Sequence, residues 1–365
     1  MKKLIIFNPS IEGGGVERNI KLIFETLEKP LKKKIYFVSY DKVDNLDESI
    51  EVVKPIIRFN VRSRIVKYLI CICSVFRIYF KNKDLVIFSF QANVYAIIVA
   101  KILKIPIIVR ANSAPYKWTN GFKIIIIKTF YKMADKIIVN SFEFQKEINN
   151  IFKVKSEVIY NLLNTKNLLS LSKKSKKFIF FDNDKKSLKI INVGRLTYQK
   201  NQIELLKIIN SVKKDIPIKL LIIGNGPEKN NLRRYINQNK LTRFVKILPY
   251  TNNPYVYFKK SEIFILTSIY EGLPNVLIEA TFFKLLCISY KCKTGPKEIL
   301  KNGSGGLLVK EHKVKKISDI LKKYYLSKNK NIYKKMIEFS YKNINRYDLH
   351  NQRKIYQKLM INFLK

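Results

Sequence analysis

Residues 268–280 read SIYEGLPNVLIEA and set Glu271 and Glu279 eight positions apart in a mostly apolar stretch. The run before them, EIFILTS, is short and continuously apolar, as expected of a buried strand. Pro274 suits the first position of a following helix, and Leu273 before it is a poor side-chain cap. The first helix amides of that element are therefore open to an anion. Glu271 then lies in the loop and Glu279 about one turn into the helix. With no obvious cationic partner nearby in sequence, both carboxylates are expected to face one cavity, where they suit the vicinal hydroxyls of a sugar or ribose. The alternative is a pair of solvated acids, which the apolar neighbours disfavour.

Two further strand–turn–helix junctions carry unusual turns. In INVGRLTYQKNQIELLKII, Gly194 ends a strand, Arg195 and Lys200 flank the turn, and a helix starts near Asn201. Cations beside open helix amides suit a pyrophosphate-like anion, although in a Lys-rich chain they are as ordinary as solvated loop charges. In LLIIGNGPEKNNLRRYI, Gly224 and Gly226 permit a tight turn. The third glycine of a dinucleotide fingerprint is missing, so this turn alone reads more readily as structural. FIFFDND places Asp182 and Asp184 after an apolar run, a pairing able to ligate a divalent ion. It falls in a Lys-rich stretch and reads as a solvated turn, so no metal site is expected.

The elements that must position these residues follow from alternation. Apolar runs KLIIFN, KIYFVSY, LVIFSF, IPIIVRA, KIIVNS and SEVIYN in the first half read as strands, as do LKIINVG, IKLLIIG, FVKILPY, EIFILTS and LLCISY in the second. Helical patterns separate them. Continuous rather than alternating apolarity implies strands buried on both faces of parallel sheets. Two doubly wound, Rossmann-like α/β domains result, 1–166 and 188–346, joined by a Ser/Lys-rich linker at 167–187 and facing each other across a cleft. Ligands of such sheets sit beyond the carboxyl ends of the strands.

The chain has 365 residues, 71 Lys+Arg against 27 Asp+Glu, and a formal net charge of +44. That balance would suit nucleic acid or an anionic membrane, but its spread along the chain favours compositional drift as the main source. A nucleic-acid binder would cluster Arg and aromatics on one element, and no such cluster is found. Cys71, Cys73, Cys287 and Cys292 lack metal-ligand spacing and imply a reduced, cytoplasmic setting. The opening MKKLIIFNPS reads as a first strand rather than a signal peptide, and no stretch reaches the roughly 20 apolar residues of a spanning helix. Segment 61–83 is an apolar helix with Arg62, Arg64, Lys67, Arg77, Lys81 and Lys83 along it, and 121–133, GFKIIIIKTFYKM, is a second of the kind. Each alone reads as a core helix with a wet basic side; together they fit peripheral contact with the inner face of a membrane.

As a set, these motifs resemble the E-x7-E glycosyltransferases of family 4, which have the GT-B fold. EGLPNVLIEA carries the resemblance with GGGVERN (13–19), GRLTYQKN (194–201), GNGPE (224–228), TGPKEIL (294–300) and GGLLV (305–309), in family order. The resemblance implies a retaining, metal-independent transfer of a sugar from a nucleotide-sugar, UDP-linked, with no cofactor. Arg195 and Lys200 would hold the diphosphate, Glu279 the ribose, and Glu271 the donor sugar near the reacting carbon. Gly272, Leu273, Pro274 and Asn275 would offer backbone amides. Gly194, Gly224 and Gly226 would shape the donor turns, while Gly14 and Gly15 would let the first loop approach the phosphates. A C-terminal helix at about 347–365 would pack back on the first domain. Many relatives place a histidine near the transferred sugar, after a strand of that domain. Here the loop reads VRANSAPYKW and Asn112 stands in that place, while Tyr116 and Trp118 could stack on a sugar or simply pack. The implied acceptor is a glycan, lipid-linked, in bacterial polysaccharide or capsule biosynthesis. A phosphorylase or an epimerase on the same two-domain scaffold is an alternative within enzymes, though the cofactor lysine motif of a phosphorylase is not found, and a basic nucleic-acid-binding protein is the alternative of another class.

Overall fold

The computed structural model describes residues 2–11, 14–43, 46–55, 61–112, 122–174, 177–184, 186–327 and 330–364. It divides into two compact units, one of 1–163 with 346–365 and one of 164–345.

The first unit runs β1 (Lys3–Phe7), α1 (Gly15–Thr26), α2 (Lys29–Lys32), β2 (Ile35–Val38), β3 (Glu51–Val53), α3 (Arg64–Lys81), β4 (Leu85–Ser89), α4 (Asn93–Leu103), β5 (Ile107–Ala111), α5 (Phe122–Lys132), β6 (Lys136–Val139), α6 (Phe142–Phe152) and β7 (Glu157–Val158). Its sheet has the order β3-β2-β1-β4-β5-β6-β7, and every pairing in it is parallel. The continuous apolarity of KLIIF and LVIFS is what burial on both faces requires: one set of side chains, Ile5, Phe7 and Ile87, packs under α3 to α6, and the alternate set, Leu4, Ile6 and Phe88, packs under α1.

The second unit runs α7 (Thr165–Ser172), α8 (Ile179–Asp182), β8 (Leu188–Val193), α9 (Gln202–Val212), β9 (Ile218–Ile223), α10 (Lys229–Gln238), β10 (Val245–Leu248), α11 (Tyr255–Phe258), β11 (Ile263–Leu266), α12 (Asn275–Phe282), β12 (Leu286–Tyr290), α13 (Pro296–Ile299), β13 (Leu307–Val309), α14 (Val314–Leu326) and α15 (Asn331–Lys342). Its all-parallel sheet has the order β10-β9-β8-β11-β12-β13. Central β8 is set opposite β9 and β11, with Ile190 facing Leu220 on one side and Ile263 on the other. The order reverses at β8 and β11, so the turns after those strands border a topological switch point. A last helix, α16 (Leu349–Leu364), returns to the first unit and buries Tyr356, Leu359, Met360 and Leu364 with the α1 side of its core.

The stretch expected to be a linker is instead folded into the second unit. Its aromatics decide this: Phe178 and Phe181 are buried, and Phe178 meets Tyr257 edge-on at 5.0 Å. Asp182 accepts from Lys260 at 2.7 Å and Asp184 from Ser187 at 2.6 Å, so both acids are held by neighbouring side chains rather than lying in an open turn. Among the described residues, no helix is long and apolar enough to cross a membrane.

Candidate active site

Four turns of the second unit meet beyond the carboxyl ends of its strands. After β8 the chain passes Gly194 and Arg195 into a 3₁₀ turn at Tyr198–Lys200 before α9 begins. The turn after β9 lies against it. Gly194 N–H donates to Ile223 O at 3.0 Å, Leu196 N–H to Asn225 O at 2.8 Å and Glu228 N–H to Leu196 O at 3.0 Å. A Cβ on Gly224 would sit 1.9 Å from Gly194 O, and one on Gly226 would sit 2.2 Å from Leu196 O. Both glycines are thus required by the packing of one turn on the other, and they support the turn that carries Arg195.

The loop after β11 is stitched to the same turn. Ile269 N–H donates to Gln199 O and Gln199 Nε2 to Tyr270 O, each at 2.9 Å, while Thr267 Oγ1 donates to Asn201 O at 3.0 Å. From the far side, the loop after β12 holds Glu271 through Thr294 Oγ1, which donates to Glu271 O at 2.5 Å, and Cys292 Sγ donates to Ser268 O. Gly295 has φ +88°, and a Cβ there would fall 2.1 Å from Gly272 O. Burial drives the Cys292 thiol far up, and the Glu271 charge adds to this, so it stays a neutral donor.

At the centre of these stitches Lys200 Nζ meets Glu271 Oε1 at 2.5 Å, with the side chains 14% and 7% exposed. Glu271 therefore has a cationic partner after all, contrary to the reading of two uncommitted acids. That partner is the residue assigned to the diphosphate. Glu279, four residues into α12, is 1% exposed. Neither acid is solvated. Helix α12 starts at Asn275 with Pro274 as its N-cap, ψ 103°, and no side chain caps it; the cap falls one residue later than expected because Pro274 is still extended. Arg195 is exposed on the turn, and its carbonyl accepts from Gln202 Nε2 at 2.9 Å.

Glu204, in the first turn of α9, escaped the sequence reading. It is buried and accepts from Tyr290 Oη, at the end of β12, at 2.7 Å and from Lys207 at 3.2 Å. Burial pushes its carboxyl up, but the bonds from Tyr290 and Lys207 outweigh this and hold it below its ordinary value; burial and the same carboxylate drive Tyr290 far up. Thr294 and Gln199 were within quoted motifs, yet only their contacts reveal a role.

In the first unit, Asn112 follows β5 and spends both amide hydrogens on backbone, donating to Phe90 O at 2.9 Å and Arg110 O at 3.5 Å. Its Oδ1 remains the group with which it could meet a ligand. Gly14 precedes α1, and its N–H donates to Glu17 Oε2 at 2.9 Å, so this amide is committed within the chain; Gly15 is the first residue of the helix. Gly13, Tyr116 and Trp118 lie outside the described residues.

Comparison with known proteins identifies the fold. The whole chain has the GT-B fold: it aligns with HepE of Anabaena, solved in complex with UDP-glucose, at TM-score 0.79 and 15% identity over 99% of this chain and 100% of that one. Residues 173–343 match the family model described as Glycosyl transferases group 1. Among curated relatives, an uncharacterized glycosyltransferase of Methanocaldococcus jannaschii is 41% identical over 184 residues, which are 49% of this chain and 45% of that protein. A Campylobacter jejuni N-acetylgalactosamine-N,N'-diacetylbacillosaminyl-diphospho-undecaprenol 4-alpha-N-acetylgalactosaminyltransferase is 32% identical over 187 residues, 50% of this chain and 49% of that one. The chain thus spans about half the length of the curated relatives it matches.

Proposed function

We propose that the protein is a retaining glycosyltransferase that moves a sugar from a UDP-sugar to a lipid-linked glycan in bacterial polysaccharide biosynthesis, without a metal ion. The observation that carries this reading is the buried Lys200–Glu271 pair, held where the turn after β8 and the loop after β11 are stitched together. A diphosphate arriving at the turn would draw Lys200, with Arg195 and the α9 and α12 amides, and these cations would do the neutralising that a metal does elsewhere. Glu271 would then lose its partner and present its charge to the sugar as that ring becomes cationic. Glu279 would accept from ribose hydroxyls. No protein base is assigned: the leaving phosphate would take the acceptor proton on the same face, which retains configuration, and Asn112 Oδ1 would accept from a sugar hydroxyl. The diphospho-undecaprenol in the name of the Campylobacter relative supports the choice of acceptor class.

Thermal unfolding in EDTA with UDP, UDP-sugars and duplex DNA tests this. Ligand at about 100 times its Kd stabilises by about 2.7 kcal/mol, a rise of several degrees for a chain of this size. UDP should give that rise, and Arg195→Ala or Lys200→Ala should remove most of it. A rise with DNA and none with any nucleotide would instead favour a nucleic-acid binder, and a rise that requires Mn²⁺ would reject metal independence.

A further inference from the structure

We infer a second ligand site behind the Arg195 turn, a cavity that takes one residue of a neutral saccharide. It lies between the starts of α9 and α10 and holds about 280 Å³, near the lower end of the roughly 300–1,000 Å³ usual for ligand pockets. The turn after β8 has the β11 loop on one side and the β9 turn on the other, because β8 pairs with both strands. Lys200 meets Glu271 on the β11 side. The cavity is on the β9 side, and none of its lining residues is one assigned to the donor. Its wall holds hydrogen-bonding groups that the fold does not use. Thr197 and Asn201 stand at the N-cap positions of the 3₁₀ turn and of α9 and are residue types that usually cap, yet neither side chain does so. Thr197 Oγ1, Asn201 Nδ2 and Gln202 Oε1 are all buried without a hydrogen-bond partner. Gln202, 2% exposed, gives its Nε2 to Arg195 O, which identifies Oε1 as the acceptor left over. Unmade buried hydrogen bonds are costly, and three on one short turn call for a partner. Thr and Asn side chains turn between rotamers, so hydroxyls entering the cavity can draw these atoms to themselves.

Charge and shape select the occupant. Lys and Arg make up 71 of the 365 residues, yet among the described residues none that lines the cavity is cationic. Its one charged group is the carboxylate of Glu228, whose Oε2 accepts from Asn231 Nδ2 at 3.0 Å. A phosphate, a nucleic acid or an anionic headgroup would meet that carboxylate with no counter-charge beside it. A neutral polyol would meet a hydroxyl, the amides of Asn201, Gln202 and Asn231, and a carboxylate, groups that pair with vicinal hydroxyls. The rest of the wall is apolar, with Ile203 and Leu232, and Tyr198 lines it while 77% exposed. A pyranose ring suits both parts, with hydroxyls at its rim and C–H bonds that lie against an aromatic face. Water would satisfy the amides but has no use for the tyrosine and the apolar wall. The chemistry of the cavity is independent of the donor assignment. Only its use rests on the transfer proposed above, in which the saccharide held here would be a part of the glycan that does not react.

The test is saturation-transfer NMR on the full chain with methyl glycosides of glucose, galactose, N-acetylglucosamine and N-acetylgalactosamine. At least one should receive saturation from the protein, and an excess of inorganic phosphate should not displace it. Tyr198→Ala and Glu228→Gln should each weaken its binding on the order of tenfold, through loss of the ring contact and of the charged acceptor. Both variants should unfold near the wild-type temperature and keep its rise with UDP, which reports an intact fold and donor site. If wild type shows no rise with UDP, the glycosyltransferase reading fails and the glycoside result still decides the cavity. Absence of transfer to all of these glycosides, displacement by phosphate, or binding unchanged in either variant would overturn the site.

Discussion

Lys200 and Glu271 are 71 positions apart, and nothing local in either motif announces that they touch. Each looks like a ligand group in its own right; the structure makes each the other's partner, so the two charges neutralise each other. The consequence is specific. Glu271→Gln frees Lys200 for the diphosphate, so UDP should bind as tightly as to wild type or tighter, whereas turnover should fall about 100-fold or more through loss of the charge aimed at the transition state. Isothermal titration and initial rates measure the two separately, and weaker UDP binding with intact turnover would reverse the assignment. Lys200→Ala strands a buried carboxylate instead and should be costly to stability itself, by roughly 3–5 kcal/mol. A second residue-scale test concerns Glu204. Its folded carboxyl is held below the ordinary value, so its stabilisation is present above the ordinary glutamate range and is lost as pH falls through the depressed value. Tyr290→Phe removes one of the bonds responsible and should cost about 1–3 kcal/mol near pH 7, with the difference from wild type shrinking as pH drops below about 4. Urea unfolding at the two pH values reads this directly, and a difference independent of pH would place the stabilisation elsewhere.

At the scale of elements, turns matter more than the helices and strands they join. The two all-parallel sheets were legible because continuous apolar runs have few other homes, and every run named as a strand contains one. The two strands that escaped notice, β3 and β13, have three residues each, and β3 exposes Glu51 and Val52 at the sheet edge, so neither shows a buried-strand pattern. The role of the glycines could not be read from spacing, because it depends on which turn lies against which. Gly224→Ala forces a methyl into the carbonyl of Gly194, and Gly295→Ala forces one into that of Gly272 at a φ that side chains resist. Each should cost about 1–3 kcal/mol or more through overpacking and backbone displacement. The displaced turn is the one that carries Arg195 in the first case and the loop of Glu271 in the second. UDP affinity should therefore fall more in Gly224→Ala than in Gly295→Ala, whereas turnover at saturating donor should fall in both; unfolding curves and a donor titration of the two variants check this ordering.

At the scale of the molecule, the chain crosses from its first unit to its second at Asn164 and returns at Arg346, so the first unit is finished only by the last residues. Helix α16 supplies the outer wall of the α1 side. Tyr356 Oη accepts from the fully buried Arg110 at 2.9 Å and donates to Tyr160 O at 3.1 Å, Gln357 Nε2 donates to Thr26 O, and Lys2 N–H reaches Leu364 O at 2.9 Å. Tyr356, Leu359, Met360 and Leu364 bury side chains worth about 1.5–3 kcal/mol each, and Arg110 would keep its charge while losing a partner. Together these approach the whole stability of a domain, about 5–15 kcal/mol. A chain ending after Asp348 should therefore lose the first unit while the second, whose sheet and whose turns after β8, β9, β11 and β12 contain nothing from α16, stays folded. Hydrogen exchange should show protection lost in β1, β4 and β5 and kept in β8, β9 and β11, with the UDP-induced rise in unfolding temperature retained and sugar transfer abolished. Loss of protection in both units at once would mean that the two fold as a single cooperative body, and loss of the UDP response alone would move donor binding out of the second unit.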